Sequence, residues 1–211
     1  MENVSVEMGE CENPIPDLQS GFKTASFSLP RERNLEQSGN TMSGEILTLT
    51  RLRISQADPS DLDLVLGILD EATNRLLKNG MPTAWEPGKF SRQAFLDQIM
   101  KGEVFVAYIG EEATGTFILQ WSDLLWWGER PPDAGYIHKF AIKPALAGKG
   151  LGVEMLKWAE TTARNAGRKF LRLNCMADDR KMRDYYERLG FIHKGDAMGP
   201  KCLGSLYEKP L

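Results

Sequence analysis

Three glycines in the run Lys143-Pro144-Ala145-Leu146-Ala147-Gly148-Lys149-Gly150-Leu151-Gly152 constrain this chain more than any other feature, because they join a strand-like segment to an amphipathic one. The segment before them, Tyr136-Ile137-His138-Lys139-Phe140-Ala141-Ile142, reads as a strand. The segment after them carries Leu151, Met155, Ala159 and Thr162 at helical spacing, and Gly167 closes it. A glycine-rich turn of this kind lines up backbone N–H groups at a helix N-terminus, where the peptide dipoles add about half a positive charge. Lacking a Cβ, glycine also lets the main chain come close to an anion. The order strand, turn, helix therefore predicts an anion site made of backbone. A turn of the same kind with no ligand is the plain alternative.

Spacing narrows the choice of anion. A dinucleotide-binding fingerprint needs a third glycine where Val153 stands and an acidic residue closing the next strand, yet that strand ends at Leu171 to Leu173 without a carboxylate. A Walker-type phosphate loop needs Ser or Thr after Gly-Lys, whereas Gly148-Lys149 is followed by Gly150. What remains is the pattern x-x-Gly-x-Gly.

Further along comes Tyr185-Tyr186-Glu187-Arg188-Leu189-Gly190-Phe191. Glycine turn and tyrosine segment together, in this order after a strand, resemble the GNAT superfamily of N-acetyltransferases, and the resemblance runs from Leu52 to the C-terminus. It implies a GNAT fold, α/β with a mixed central sheet and helices on both faces. It implies that Ala147, Gly148, Lys149, Gly150, Leu151 and Gly152 hold the pyrophosphate of acetyl-CoA, while the backbone of Phe140, Ala141 and Ile142 pairs with its pantetheine arm. It also implies that Tyr186 protonates the departing CoA sulfur and that Asp179 stands where the family often has Asn. Ala147 replaces the family's usual Arg or Gln, so backbone amides must carry more of the phosphate charge.

A length of 211 residues suits one domain plus a tail. Over 1–45 there are eight acidic and three basic side chains, a net charge of −5 within a chain of net charge −3, which leaves +2 for the remainder. That stretch has Pro14, Pro16 and Pro30 and no hydrophobic periodicity, and it is expected to be a disordered acidic tail ahead of a domain over 46–211. The chain carries neither a secretory signal nor an apolar run long enough to span a bilayer. Cys11, Cys175 and Cys202 are too scattered for a disulfide framework or a metal site. These features predict a cytoplasmic protein, with a nuclear one not excluded, that needs no metal and binds neither membrane nor nucleic acid. A monomer or a homodimer fits equally.

From residue 46 the pattern predicts a strand over 47–54, then a helix opened by Asp58-Pro59-Ser60 and ending near Asn79-Gly80. A helix over 90–100 and a hairpin of 104–109 with 115–121 follow. After the glycine unit come a strand over 169–174, a helix over 180–189 and strands over 191–194 and 203–208.

Acetyl transfer to an amine needs an unprotonated nitrogen, a polarised carbonyl and a proton for the thiolate. Tyr186 is the expected acid, a phenol of ordinary pKa about 10. Its alternative role is core packing, because Met182, Tyr185, Tyr186 and Leu189 form an ordinary helical stripe. His138 is the expected base: imidazole titrates at about 6.5, and strict alternation puts His138 on the side of Phe140 and Ile142. A lone strand histidine is also commonly structural, and Glu129 and Asp133 are alternative bases. The acceptor is expected at 80–85, with Trp85, and at 121–132, with Trp127 and Glu129, where indole and carboxylate can hold a cationic amine. The reading is an acetyl-CoA-dependent N-acetyltransferase acting on a small primary amine or, as a lesser alternative, a peptide or protein amine. A non-catalytic acyl-CoA-binding domain of the same fold is the rival.

Overall fold

The structure, a computed structural model, describes residues 52–211. The expectations for 1–45 and for the start of the strand at 47–54 lie outside the described residues. Within them, strands β1 (Leu52–Gln56), β2 (Val104–Ile109), β3 (Glu112–Gln120), β4 (Ala134–Ile142), β5 (Phe170–Met176), β6 (Ile192–Met198) and β7 (Leu203–Pro210) form one mixed sheet in the order β1-β2-β3-β4-β5-β7-β6. Helices α1 (Leu62–Lys78) and α2 (Arg92–Met100) cover one face, and α4 (Leu151–Asn165) and α5 (Arg180–Arg188) the other. A four-residue helix α3 (Leu124–Trp127) lies where the sequence reads as loop.

Each helix begins where its capping chemistry says it should. Asp58 accepts from the Ser60 amide while its own amide donates to Asp61, and with Pro59 they form a single 3-10 turn that leads into α1. Ser91 caps α2, Asp123 caps α3 and Asp179 caps α5, each through a side-chain oxygen. The core then divides by face. Val65, Ile68, Leu69, Phe95 and Ile99 pack on one side. Met155, Leu156, Leu171, Leu173, Tyr186 and Tyr207 pack on the other. Full burial of one such aliphatic side chain is worth about 1.5–3 kcal/mol, which is what holds these amphipathic helices to the sheet.

Two irregularities of β4 shape what lies beside it. Its parallel pairing with β5 runs from Ala134 opposite Phe170 to Ile137 opposite Leu173 and stops there, although both strands continue. β5 stays paired with β7 as far as Met176 opposite Gly204, so β4 and β5 part company after Ile137. On its other edge, β4 pairs Ala141 with Thr116 and His138 with Ile118, so three steps of β4 oppose two of β3. The extra residue makes a bulge at Lys139, whose φ of 48° is left-handed.

That bulge overturns the expected alternation. Ile137, Phe140 and Ile142 pack into the core on the α4 side, and Ala141 into the core on the α1 side. His138 meets Asp123, and Lys139 meets Trp85 and Phe90, away from the α4 side. The sequence expectation that His138 shares a face with Phe140 and Ile142 is therefore incorrect, because strict period-two counting fails across an inserted residue.

Below the point of parting, a buried cation locks the strands together. Arg172 on β5 binds Glu208 of β7 at 2.8 Å, Asp133 at 3.1 Å and the Tyr136 hydroxyl of β4 at 2.7 Å. Its guanidinium lies over the Trp127, Phe170 and Tyr136 rings. Removing one partner of such a buried pair typically costs about 3–5 kcal/mol.

Candidate active site

The glycine turn leads straight from β4 into α4. A short 3-10 turn at Pro144–Leu146 precedes Ala147, whose backbone is extended, and Arg75 of α1 steadies that turn by donating to the Pro144 carbonyl at 2.7 Å. Gly148 and Gly150 have φ of 79° and 84°, and Gly150 is the N-cap of α4. Both conformations favour glycine. Open space lies where a side chain at either position would project. The helix ladder starts with Val153 and Glu154 donating to Gly150, so the amides of Leu151 and Gly152 at the head of α4 have no carbonyl of their own helix to bond. First-turn amides at the positive end of a 15-residue helix, behind two left-handed glycines, fit a diphosphate. With Ala147 the site lacks a guanidinium, and the Lys149 side chain is exposed beside it.

Gly152 has a different role. A Cβ on it would come within 2.9 Å of the Tyr185 hydroxyl, 3.2 Å of Ile142 Cδ1 and 3.5 Å of Phe140 Cε1. Those groups converge beside the opening between β4 and β5. Tyr185 is half-buried there, and burial raises its phenol pKa. Tyr186 is buried among the rings of Tyr185, Phe191 and Tyr207. Burial above all, helped by the neighbouring Cys175, Tyr185 and Asp179, drives its phenol pKa far above the ordinary value and keeps it protonated. Cys175 on β5 is pushed up to about 12, mainly by burial, and so remains a thiol. Asp179 is itself buried and accepts from the Met182 amide at 3.0 Å, so one of its oxygens is committed to the α5 cap. Its other neighbours line a cleft of about 260 Å³ formed by Asn79, Gly80, Met81, Pro82 and 178–181.

On the opposite face of β4, His138 Nε2 stands 3.3 Å from Asp123 Oδ2. Both atoms are sealed from solvent, and the contact is an ion-pair distance without hydrogen-bond alignment. The second Asp123 oxygen accepts from the Trp126 amide at 3.1 Å, which fixes the carboxylate to α3. Sequence reasoning missed Asp123. Its signal was an acidic residue ahead of Leu124-Leu125-Trp126-Trp127, a cap on a helix too short to show periodicity.

The remaining expected residues are spread around this face. Trp85 packs edge-on against Phe90 at 6.0 Å and lies 5.4 Å from the Lys139 ammonium. Trp127 turns inward, buried against Tyr136 and Arg172, while Glu129 is exposed along a cleft of about 280 Å³ with Trp121, Asp123, Arg130 and Tyr136. Asp133 is held by Arg172. The structure therefore brings Tyr186, Phe140, Ile142 and the glycine turn to one side of β4, and His138 and Trp85 to the other. Among the described residues, no helix is long and apolar enough to cross a membrane, and no group of three or more His, Cys, Asp or Glu side chains could hold a metal ion.

Comparison with known proteins decides the family. The Acetyltransferase (GNAT) family pattern matches residues 71–191, more than half of the chain. The chain belongs to the GNAT acetyltransferase family. The uncharacterised N-acetyltransferase YesJ of Bacillus subtilis is 35% identical over 107 residues, which are 48% of this chain and 59% of that protein, less than two thirds of its length. A GNAT-family acetyltransferase structure from Listeria monocytogenes is 24% identical with a TM-score of 0.65, covering 76% of this chain and 95% of that one. The PaiA N-acetyltransferase of Thermoplasma acidophilum, solved in complex with coenzyme A, is 16% identical with a TM-score of 0.61, covering 76% and 99%. At these identities the two structures show a shared fold. The GNAT fold accounts for the mixed sheet and the helices packed on it.

Proposed function

We propose that this protein is an N-acetyltransferase that moves an acetyl group from acetyl-CoA directly to the primary amine of a small molecule. The observation that carries this reading is the glycine turn at the head of α4, with the first-turn amides of Leu151 and Gly152 just beyond it, set next to the edge that β4 leaves open on parting from β5. Acetyl-CoA supplies the thioester, an acetyl group already activated for attack by nitrogen. The turn binds its diphosphate, and the unpaired edge of β4 around Phe140, Ala141 and Ile142 aligns its extended arm as an added strand would. Holding donor and amine together in this way removes much of the entropic barrier.

Tyr186 is the proposed general acid. Its buried phenol holds its proton at neutral pH and so has one to share with the sulfur as the carbon–sulfur bond breaks, which spares the site a bare thiolate in a low-dielectric setting. Tyr185, with its hydroxyl against Gly152, positions the same wall. His138, oriented by Asp123, is the proposed acceptor of the amine proton, directly or through water. Trp85 and the cleft beside Glu129 border the acceptor's approach, with Trp127 supporting that wall from behind. An acetyl-CoA-dependent reaction and the free thiols of Cys175 and Cys202 suit the cytoplasm.

The test is to incubate the full-length protein with acetyl-CoA and a panel of primary amines while following free thiol. Thiol release that depends on an amine supports the reading. Tight CoA binding with no release under any amine replaces it with a non-catalytic acyl-CoA-binding domain, and no uptake of CoA removes both.

A further inference from the structure

Lys139 is the one described non-glycine residue with a positive φ, and the strain of that conformation needs a return. The bulge it forms sends its side chain under the loop between α1 and α2, where its ammonium lies 5.4 Å from the Trp85 ring centroid and 5.6 Å from that of Phe90. Burial, reinforced by the charge of Lys201, lowers its pKa. Lys139 is half-buried, and among the described residues its ammonium is set against aromatic faces.

The groups around it give little compensation. Cys202 contributes a neutral thiol, its pKa raised by burial. Lys201 is bound to Glu86 at 2.8 Å, and this pair ties the β6–β7 loop to the α1–α2 loop over the bulge. The Lys201 charge still repels that of Lys139, so the Glu86 carboxylate does not compensate Lys139. Gly199 and Gly204 lie so close beneath the Trp126 indole that a side chain on either would overlap it, which packs the same hairpin against α3. Three segments thus enclose a lysine one residue away from His138.

A half-buried cation beside apolar rings has lost part of its hydration, and an anion brought against it restores what the rings do not supply. Cation–π contact with two rings offsets part of that penalty and holds the ammonium in place. We propose that Lys139 binds a carboxylate on the acceptor, so that the acetylated molecule is an amino acid or a similar amine bearing one carboxylate. This rests on the acetyltransferase reading above for the word acceptor, though not for the binding itself. One cation with apolar walls suits a monoanion. A phosphate dianion would call for a second unpaired donor group, and the neighbouring lysine is already joined to Glu86.

Calorimetric titration of the full-length, CoA-loaded protein tests this with N-acetylglycine, N-acetylleucine and N-acetyllysine, each set against its uncharged amide. At least one acid is expected to bind tenfold or more tightly than its amide. Lys139→Met should abolish that difference, and Lys139→Arg should keep most of it, with circular dichroism confirming that both variants fold. Equal affinities for all three pairs in the unaltered protein, or a preference that survives Lys139→Met, overturn the proposal. Lys139-dependent carboxylate binding without thiol release from any amine would sink the acetyltransferase reading and leave this one standing. Amine-dependent release that is indifferent to carboxylates, with no acid preferred in calorimetry, would do the reverse.

Discussion

The Tyr185 hydroxyl stands 2.9 Å from the point where a side chain on Gly152 would begin, so the second residue of α4 and the middle of α5 touch only because one of them is glycine. Ile142 and Phe140 close the same contact at 3.2 and 3.5 Å. The turn, the β4 edge and the tyrosine helix are therefore packed as one unit.

Gly152→Ala should lower stability by about 1–2 kcal/mol through overpacking and weaken acetyl-CoA binding at least tenfold, by calorimetry. Adding Tyr185→Phe should restore part of the lost stability, because it removes the atom that the new methyl meets first. Unchanged CoA affinity in folded Gly152→Ala would separate this packing from the binding site.

Tyr186→Phe should reduce kcat at least tenfold while leaving the Kd for acetyl-CoA within threefold, since the phenol is assigned to the thiolate and not to binding. Tyr185→Phe should change kcat much less. Equal small effects from both substitutions would return Tyr186 to the role of core packing.

Asp123→Asn keeps an oxygen for the Trp126 amide and so preserves the α3 cap, but removes the charge facing His138. It should lower kcat/KM about tenfold. His138→Ala should do at least as much, and the double variant should be little worse than His138→Ala alone, because the two residues act as one unit. Additive losses, or none, would take the pair out of the reaction.

Alkaline pH should destabilise the protein, and Tyr186 should contribute part of that loss alongside the buried Cys175 thiol. Its phenol pKa is raised in the folded chain, chiefly by burial, so folding favours the protonated form. Below the ordinary tyrosine value of about 10 both states keep the proton and nothing changes. Above it the unfolded state ionises first, and stability falls as pH rises toward the folded value. Denaturant midpoints taken from pH 9 to 11 should decline, and Tyr186→Phe should flatten that decline. A slope unaffected by the substitution would contradict the burial of the hydroxyl.

Much of the fold was legible because its signals are local and redundant. Pro59 behind Asp58, Ser91, Asp179 and Gly167 mark helix ends by caps that need no tertiary context, and the structure places helix termini at each. The glycine turn was equally readable, since positive φ at Gly148 and Gly150 is what glycine permits. The bulge was not. Left-handed residues in strands usually announce themselves as Gly, Asn or Asp, whereas here the position is Lys139, and only the register between β3 and β4 reveals the insertion. The acceptor side was obscured for a related reason. Four apolar residues of α3 are too few to show a period, so Trp127 read as a contact for the acceptor although it is buried on Tyr136, and Asp123 went unnoticed as the cap that faces His138.

The single inserted residue in β4 also divides labour along the strand. Phe140 and Ile142 look toward the α4 side, where the donor is proposed to lie, and His138 and Lys139 look toward the loops that border the acceptor. Selectivity for what is modified can then be rewritten at position 139 and in the loops above it, with His138 kept and little disturbance to the thioester's seat.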